Sequence, residues 1–192
     1  MLKRAAQWIV EQQIRRSTLK EEDRAIYIYA YELFLNQMIN IILSILIACI
    51  FRAPLTVLVF LVCYIPFRSF AGGYHADTNL GCTVVSALML CGVCLLMELD
   101  GARWLYGVYP GLFAVSGYMV FRYAPVQDRN KPLDELERTR YRKRSRVVWG
   151  AETAIGIVCF CLKIRQGLTV AVSHLILAAV LALGLSKNRR GV

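Results

Sequence analysis

The chain has 192 residues, of which 57% are hydrophobic and 19% charged, and its formal net charge is +10. Its apolar residues gather in long runs with little charge, which excludes an ordinary water-soluble domain. The positive charge does not call for nucleic acid, because its placement along the chain follows membrane topology.

Residues 1–30 are polar and lack the apolar core of a secretory signal, so no such signal is expected. They read as an amphipathic cytoplasmic segment, with Leu2, Ala5, Trp8 and Ile9 set among basic residues. Thr18 and Glu21 fit a capping box that would start a helix running on into the first span. Tyr27, Tyr29 and Tyr31 would then form an interfacial aromatic belt.

A membrane-crossing helix needs about 20 mostly apolar residues, with about 17 as the lower limit. Six segments within residues 31–192 approach that length: Tyr31–Ile50, Pro54–Phe67, Leu80–Leu99, Trp104–Phe121, Val147–Leu162 and Leu168–Leu185. Pro54–Phe67 is short and carries Pro66, which predicts tilt, a kink or partial insertion. Val147–Leu162 is short and contains Glu152, either a functional group or a solvated span end. His174, in the last span, is expected to pack inside the bundle. The expected fold class is all-α, a polytopic membrane bundle of four to six spans, with six the preferred count, and an amphipathic N-terminal helix.

With a cytoplasmic N-terminus and six spans, 19 of the 23 Lys and Arg residues fall on the cytoplasmic side. Only Arg52, Arg103, Lys163 and Arg165 fall outside, as the positive-inside rule requires. This places residues 68–82 and 122–146 on the cytoplasmic face. Six of the seven cysteines lie inside apolar runs, where a thiol behaves as a small hydrophobe; this includes the Cys91/Cys94 pair. Cys82 differs, because it sits where a span emerges.

The stretch around Cys82 gathers several kinds of chemistry. Ala71-Gly72-Gly73 permits turns closed to other residues and lets backbone or substrate come close. Asp77, Thr78 and Asn79 are each good helix N-caps, so a helix beginning there carries Cys82 in its first turn. The helix dipole lowers the pKa of such a thiol, and unpaired first-turn N–H groups stabilise an oxyanion. His75, seven residues upstream, is in reach as a general base, and Asp77 either orients it or caps the helix. Arg68 reads as an interfacial charge or as a site for a substrate carboxylate.

Farther along, Pro132 precedes Asp134, Glu135 and Glu137, then Arg138, Arg140, Arg142, Lys143, Arg144 and Arg146. Acids first and bases last predicts a short helix, suited to anionic lipid or to an acidic peptide.

The string Arg68-x-x-Ala71-Gly72-Gly73-Tyr74-His75-Ala76 followed by Cys82 resembles the signature of the accessory gene regulator B family. Tyr123-Ala124-Pro125 with Asn130-Lys131-Pro132 resembles that family's later loop motif. The resemblance implies a membrane cysteine endopeptidase of the bacterial cell membrane that processes quorum-sensing peptide precursors. It puts the catalytic pair on His75 and Cys82, and substrate binding on Arg68, Gly72, Gly73 and Lys131. It gives Gln127 and Asp128 no role and needs no metal or cofactor. Residues 31–192 would be the transmembrane peptidase domain, with catalytic loop 68–82 and basic loop 122–146. The implied partners are a precursor with an internal Cys and an acidic C-terminal tail, and membrane lipids; assembly into a homo-oligomer is left open.

Three other readings compete. Asp100-Gly101-Ala102-Arg103 evokes a phosphatidyltransferase, but the spacing is wrong and the further aspartates are absent. Ser116-Gly117 with His174 evokes a rhomboid-type serine protease, although Ala114 stands where its first glycine belongs. A non-enzymatic peptide exporter or scaffold would leave the Gly-Gly-Tyr-His and Cys cluster without a purpose.

Overall fold

A computed structural model describes residues 2–16, 18–74, 76, 78–98, 105–127 and 133–189. His75, Asp77, Asp128, Asn130, Lys131, Pro132 and the Asp100–Arg103 string lie outside the described residues.

Among the described residues the regular structure is helical throughout: α1 (Leu2–Arg15), α2 (Arg24–Ile50), α3 (Pro54–Ala71), α4 (Asn79–Glu98), α5 (Leu105–Tyr123), α6 (Glu135–Cys161) and α7 (Gln166–Arg189). Each of the six expected spans is a helix. Four of them, α2, α3, α4 and α7, are long and apolar enough to cross a membrane. Large apolar side chains such as Phe34, Ile42 and Ile45 on α2 and Leu88 on α4 face outward, where lipid is their natural solvent.

Several local expectations need correction. Thr18 forms no capping box: its hydroxyl turns back to Arg16 O at 3.5 Å, and a 3-10 turn, Glu21–Asp23, leads into α2. The expected amphipathic N-terminal helix is present over residues 2–15, with Ala6 and Val10 buried and Trp8 outward. α1 is tied to α2 by Arg24 on Glu11 at 3.1 Å and by Gln13 Nε2 donating to Tyr31 Oη at 2.5 Å. α3 does not stop at Phe67. It begins with Pro54 in its first turn, where the missing N–H costs nothing, and runs 18 residues through Pro66. The short basic helix and the fifth span are one 27-residue helix, α6, started by Asp134, whose carboxylate accepts from Glu137 N at 2.6 Å.

α7 is apolar on nearly every face and is therefore the central helix. It packs against α3, α4, α5 and α6. Small residues let neighbours come close, as is usual between membrane helices. A Cβ on Gly167 would lie 2.7 Å from Cys159 Cβ, and one on Gly156 would lie 2.5 Å from Phe113 Cζ. At this end of the bundle Tyr109 Oη lies 2.6 Å from Gly156 O and 3.1 Å from Gly167 O, joining α5 to α6 and α7.

Midway along α7 the three helices share a buried polar cluster. Ser116 Oγ is 2.9 Å from His174 Nδ1, and His174 Nε2 is 3.1 Å from Glu152 Oε2. Trp149 Nε1 donates to Ser116 Oγ at 3.1 Å, and Phe113 O lies 3.0 Å from the same hydroxyl. His174 is buried, as expected, and Glu152 is not at a solvated end. The serine and histidine of the rhomboid-like reading do meet, but in a sealed place. Phe67 and Phe113 pack on the imidazole, with ring centroids 5.1 and 4.8 Å away. Ser116 and His174 are both fully buried, which denies a serine nucleophile the access to substrate that it needs. The cluster is a brace.

The opposite end of the bundle holds the Gly-Gly turn. Gly72 has φ 74° and ψ −145°, and Gly73 has φ 116°, both conformations that residues with a Cβ avoid. The turn pairs with the segment after α5: Val126 N donates to Ala71 O at 2.9 Å, and Gly73 N donates to Val126 O at 3.2 Å. Tyr74 N donates to Val180 O on α7 at 2.9 Å. Gly184 on α7 sits against it, since a Cβ there would be 2.6 Å from Gly73 C.

Two stability measurements in detergent follow from these contacts. Gly72→Ala puts a Cβ 2.1 Å from Val126 O. Backbone strain alone then costs about 1–3 kcal/mol. The melting temperature should fall and the turn should open to protease. Gly92→Ala, at a helical position with nothing within 4 Å, should leave stability unchanged or raised. Equal behaviour of the two variants would contradict the pairing. For the brace, His174→Leu and Glu152→Leu should each cost about 3–5 kcal/mol, as for a broken buried pair, and the double variant should recover most of the loss. Single losses of only about 0.6 kcal/mol, the average for a side-chain hydrogen bond between membrane helices, would mean that the cluster braces nothing.

Candidate active site

Cys82 lies in the first turn of α4. Thr78 is the cap: its hydroxyl accepts from Gly81 N at 3.0 Å, and its carbonyl accepts from Cys82 N at 3.0 Å. Of the three capping candidates the chain therefore uses Thr78, and α4 begins at Asn79 as the capping pattern requires. The amides of Gly81 and Cys82 are taken by that cap and are not free to donate to an oxyanion. The thiol is half-buried, and all seven cysteines are free.

Arg68, one turn before the end of α3, forks its guanidinium onto two backbone oxygens, Gly72 O and Tyr74 O. The planar fork suits two acceptors set side by side. Arg68 thus holds the turn that precedes His75. Gly72 and Gly73 do permit close approach, and the groups that use it here are Val126 O, Val180 and Gly184 of the chain itself.

Two hollows meet at Cys82. One, of about 190 Å³, lies between α3, α4, α7 and the turn, and is bordered by Arg68, Tyr74, Ala76, Val85 and Val180. The other, of about 200 Å³, lies between α2, α3 and α4, and is bordered by Asn36, Gln37, Asn40, Ser44 and Phe60. Tyr64, Cys82, Ser86 and Met89 face both. The thiol therefore has room on two sides, as a nucleophile must if a chain is to pass across it.

The structure brings Arg68, Gly72, Gly73 and Cys82 to one end of the bundle. The basic first half of α6 is at that end too: Arg144 lies over the Phe70 ring at 5.4 Å, and Arg146 lies over Phe121 at 5.0 Å and donates to its carbonyl at 3.1 Å. Arg142, Lys143 and Arg146 border an open hollow of about 360 Å³ on this surface. Sequence reasoning missed Tyr64 and the polar residues of α2. The signal was present, since Asn36, Asn40 and Ser44 recur every fourth residue in an otherwise apolar run. Val126 and Gly184 carried no such signal.

The family profile described as accessory gene regulator B matches residues 2–186. An AgrB-like protein 2 of Clostridium perfringens strain 13 is 24% identical over 177 residues, covering 89% of this chain and 83% of the relative. An AgrB-like protein of Halalkalibacterium halodurans is 22% identical over 173 residues, covering 90% of this chain and 83% of the relative. One from Lactiplantibacillus plantarum is 26% identical over 115 residues, covering 59% and 56% respectively. No solved structure matches. The profile spans the Gly-Gly turn, the capped cysteine helix and the central α7 alike, and the chain belongs to the accessory gene regulator B family.

Proposed function

We propose that this chain is a membrane-embedded cysteine endopeptidase that removes the C-terminal tail of a quorum-sensing peptide precursor. The observation that carries the reading is the setting of Cys82: a thiol in the first turn of a capped helix, with a hollow on either side and the Arg68-held turn beside it. His75 takes the thiol proton, and the sulfur attacks a peptide carbonyl. The tail leaves as an amine, taking the proton back from the imidazolium, and the upstream part stays on Cys82 as a thioester.

Arg68, Gly72 and Gly73 frame the substrate entrance, and Lys131 binds substrate from the later loop. A thiol of the precursor then attacks the thioester carbonyl, Cys82 leaves as thiolate, and a cyclic thiolactone forms. One thioester replaces another, so this exchange is close to energy-neutral and is drawn forward by removal of the tail. The proposed site lies at the cytoplasmic face of a multi-pass protein of the cell membrane.

Co-expression with a precursor peptide that carries an internal Cys and an acidic C-terminal tail tests the mechanism. Cys82→Ala and His75→Ala should each abolish cleavage on a gel, and alanine at any other single cysteine should leave it intact. Surviving activity in either variant rejects the pair. In vesicles, the product should be lighter by one water than the linear fragment, and replacing the precursor cysteine with Ala should leave a Cys82 adduct or slow hydrolysis. Only linear acid from the intact precursor would make this a simple hydrolase.

The basic surface of α6 is proposed to hold the acidic tail. Among the described residues Arg142 and Lys143 make no ion pair, and both are exposed. Attraction at such a surface is screened over about 8–10 Å at physiological salt. Replacing both with Gln should slow processing at low salt and weaken its salt dependence. Full-rate cleavage by a normally inserted double variant would leave the run to lipid alone.

A further inference from the structure

α2 and α4 are joined by a polar seam. Asn79 Nδ2 donates to Glu32 Oε1 at 2.8 Å, and one turn on, Thr83 Oγ1 donates to Asn36 Oδ1 at 3.3 Å. The next residue in the α2 series is Asn40, and there the seam opens. Asn40 and Gln37 border the hollow of about 200 Å³, with Ser86 and Cys82 also facing it from α4. Among the described residues neither side-chain amide has a hydrogen-bond partner. Ser44 only returns its hydroxyl to Asn40's own carbonyl, at 2.8 Å.

Gln37, at the border of the hollow, is exposed, whereas Asn40 is half-buried in an otherwise apolar run, where an amide left without partners is a cost that packing alone does not explain. Its chemistry defines what would relieve it. A carboxamide offers two donors and one acceptor oxygen, the complement of a peptide unit, which offers one of each. A peptide lying across Cys82 at this depth has the matching problem. Its carbonyls and N–H groups are extended rather than helical where a nucleophile can reach them, and lipid cannot satisfy them.

We propose that the α2-side hollow is a binding cleft for the extended backbone of the substrate next to the bond cleaved, with Asn40 and Gln37 as the groups that hydrogen-bond it. The assignment rests on Cys82 being the reacting thiol. The apolar wall, Phe60, Leu61, Ile65 and Leu90, takes the neighbouring side chains. Tyr64, stacked on Phe60 at 5.1 Å, lines both this cleft and the α7-side hollow, whose other walls differ, so the two sides of the cleaved bond are received in different surroundings.

The test compares two alkylating reagents on the full chain in phospholipid vesicles, with the Cys82 peptide quantified by mass spectrometry. Iodoacetamide reads the reactivity of the thiol, and a biotinylated tripeptidyl chloromethyl ketone with apolar side chains adds the need to seat a peptide. Asn40→Leu should slow the peptidyl reagent about tenfold relative to iodoacetamide, the order expected for one or two lost peptide hydrogen bonds. Asn40→Gln, which keeps the amide, should stay within about threefold of the parent. An unchanged ratio in Asn40→Leu overturns the cleft, and so does an equal fall with both reagents, which marks a packing defect. The endopeptidase reading fails by a separate result, precursor cleavage that survives Cys82→Ala, which the alkylation ratio does not enter.

Discussion

Three backbone hydrogen bonds, Val126 N to Ala71 O, Gly73 N to Val126 O and Tyr74 N to Val180 O, hold the Gly72–Tyr74 turn against the end of α5 and the side of α7. They form only because Gly72 and Gly73 adopt positive φ and Gly184 presents no side chain. Everything around the candidate thiol depends on this contact. It fixes where α3 ends and the direction in which the chain leaves for α4. It also places the two carbonyls that receive Arg68. A loop held only by its own residues would not fix Tyr74 and Arg68 at the border of the α7-side hollow.

Polar groups inside the bundle fall into two kinds, and the difference is whether their hydrogen bonds are complete. Ser116, His174, Glu152 and Trp149 satisfy one another across α5, α6 and α7, walled in by Phe67 and Phe113. Completed networks of this type specify one packing of the helices. Along α2 and α4 the first two rungs are complete, and the third, at Asn40, is open where Cys82 stands. The first kind is structure. The second is where a substrate has something to gain.

Charge follows the same division of the molecule. The end with the Gly-Gly turn carries the basic half of α6, with Arg144 and Arg146 laid over Phe70 and Phe121. Stacked in this way, the guanidinium groups stay at the surface while their stems cover apolar rings. The far end uses Arg165 differently, donating to Met97 O and closing α4 onto the turn before α7. A concentration of positive charge at one end orients a membrane protein and makes that surface attractive to anionic groups in general.

Six helical segments and the start of α4 before Cys82 were legible in the sequence, because a membrane span is set by the local run of apolar residues and a cap by a few adjacent side chains. The sequence placed the end of this span at Phe67, where Arg68 interrupts the apolar run, and read Pro66 as a source of tilt or a kink. Within the helix the proline loses one hydrogen bond and the chain continues to Ala71. It also split α6 in two where the polarity changes, although backbone hydrogen bonding does not follow polarity. The partners of Glu152, the use of Gly72 and Gly73 by Val126 and Gly184, and the meeting of Asn40, Tyr64 and Cys82 around shared space were decided by tertiary packing alone. These contacts join residues dozens of positions apart, and their distances are set by how α7 fits among its neighbours, which no local pattern of side chains encodes.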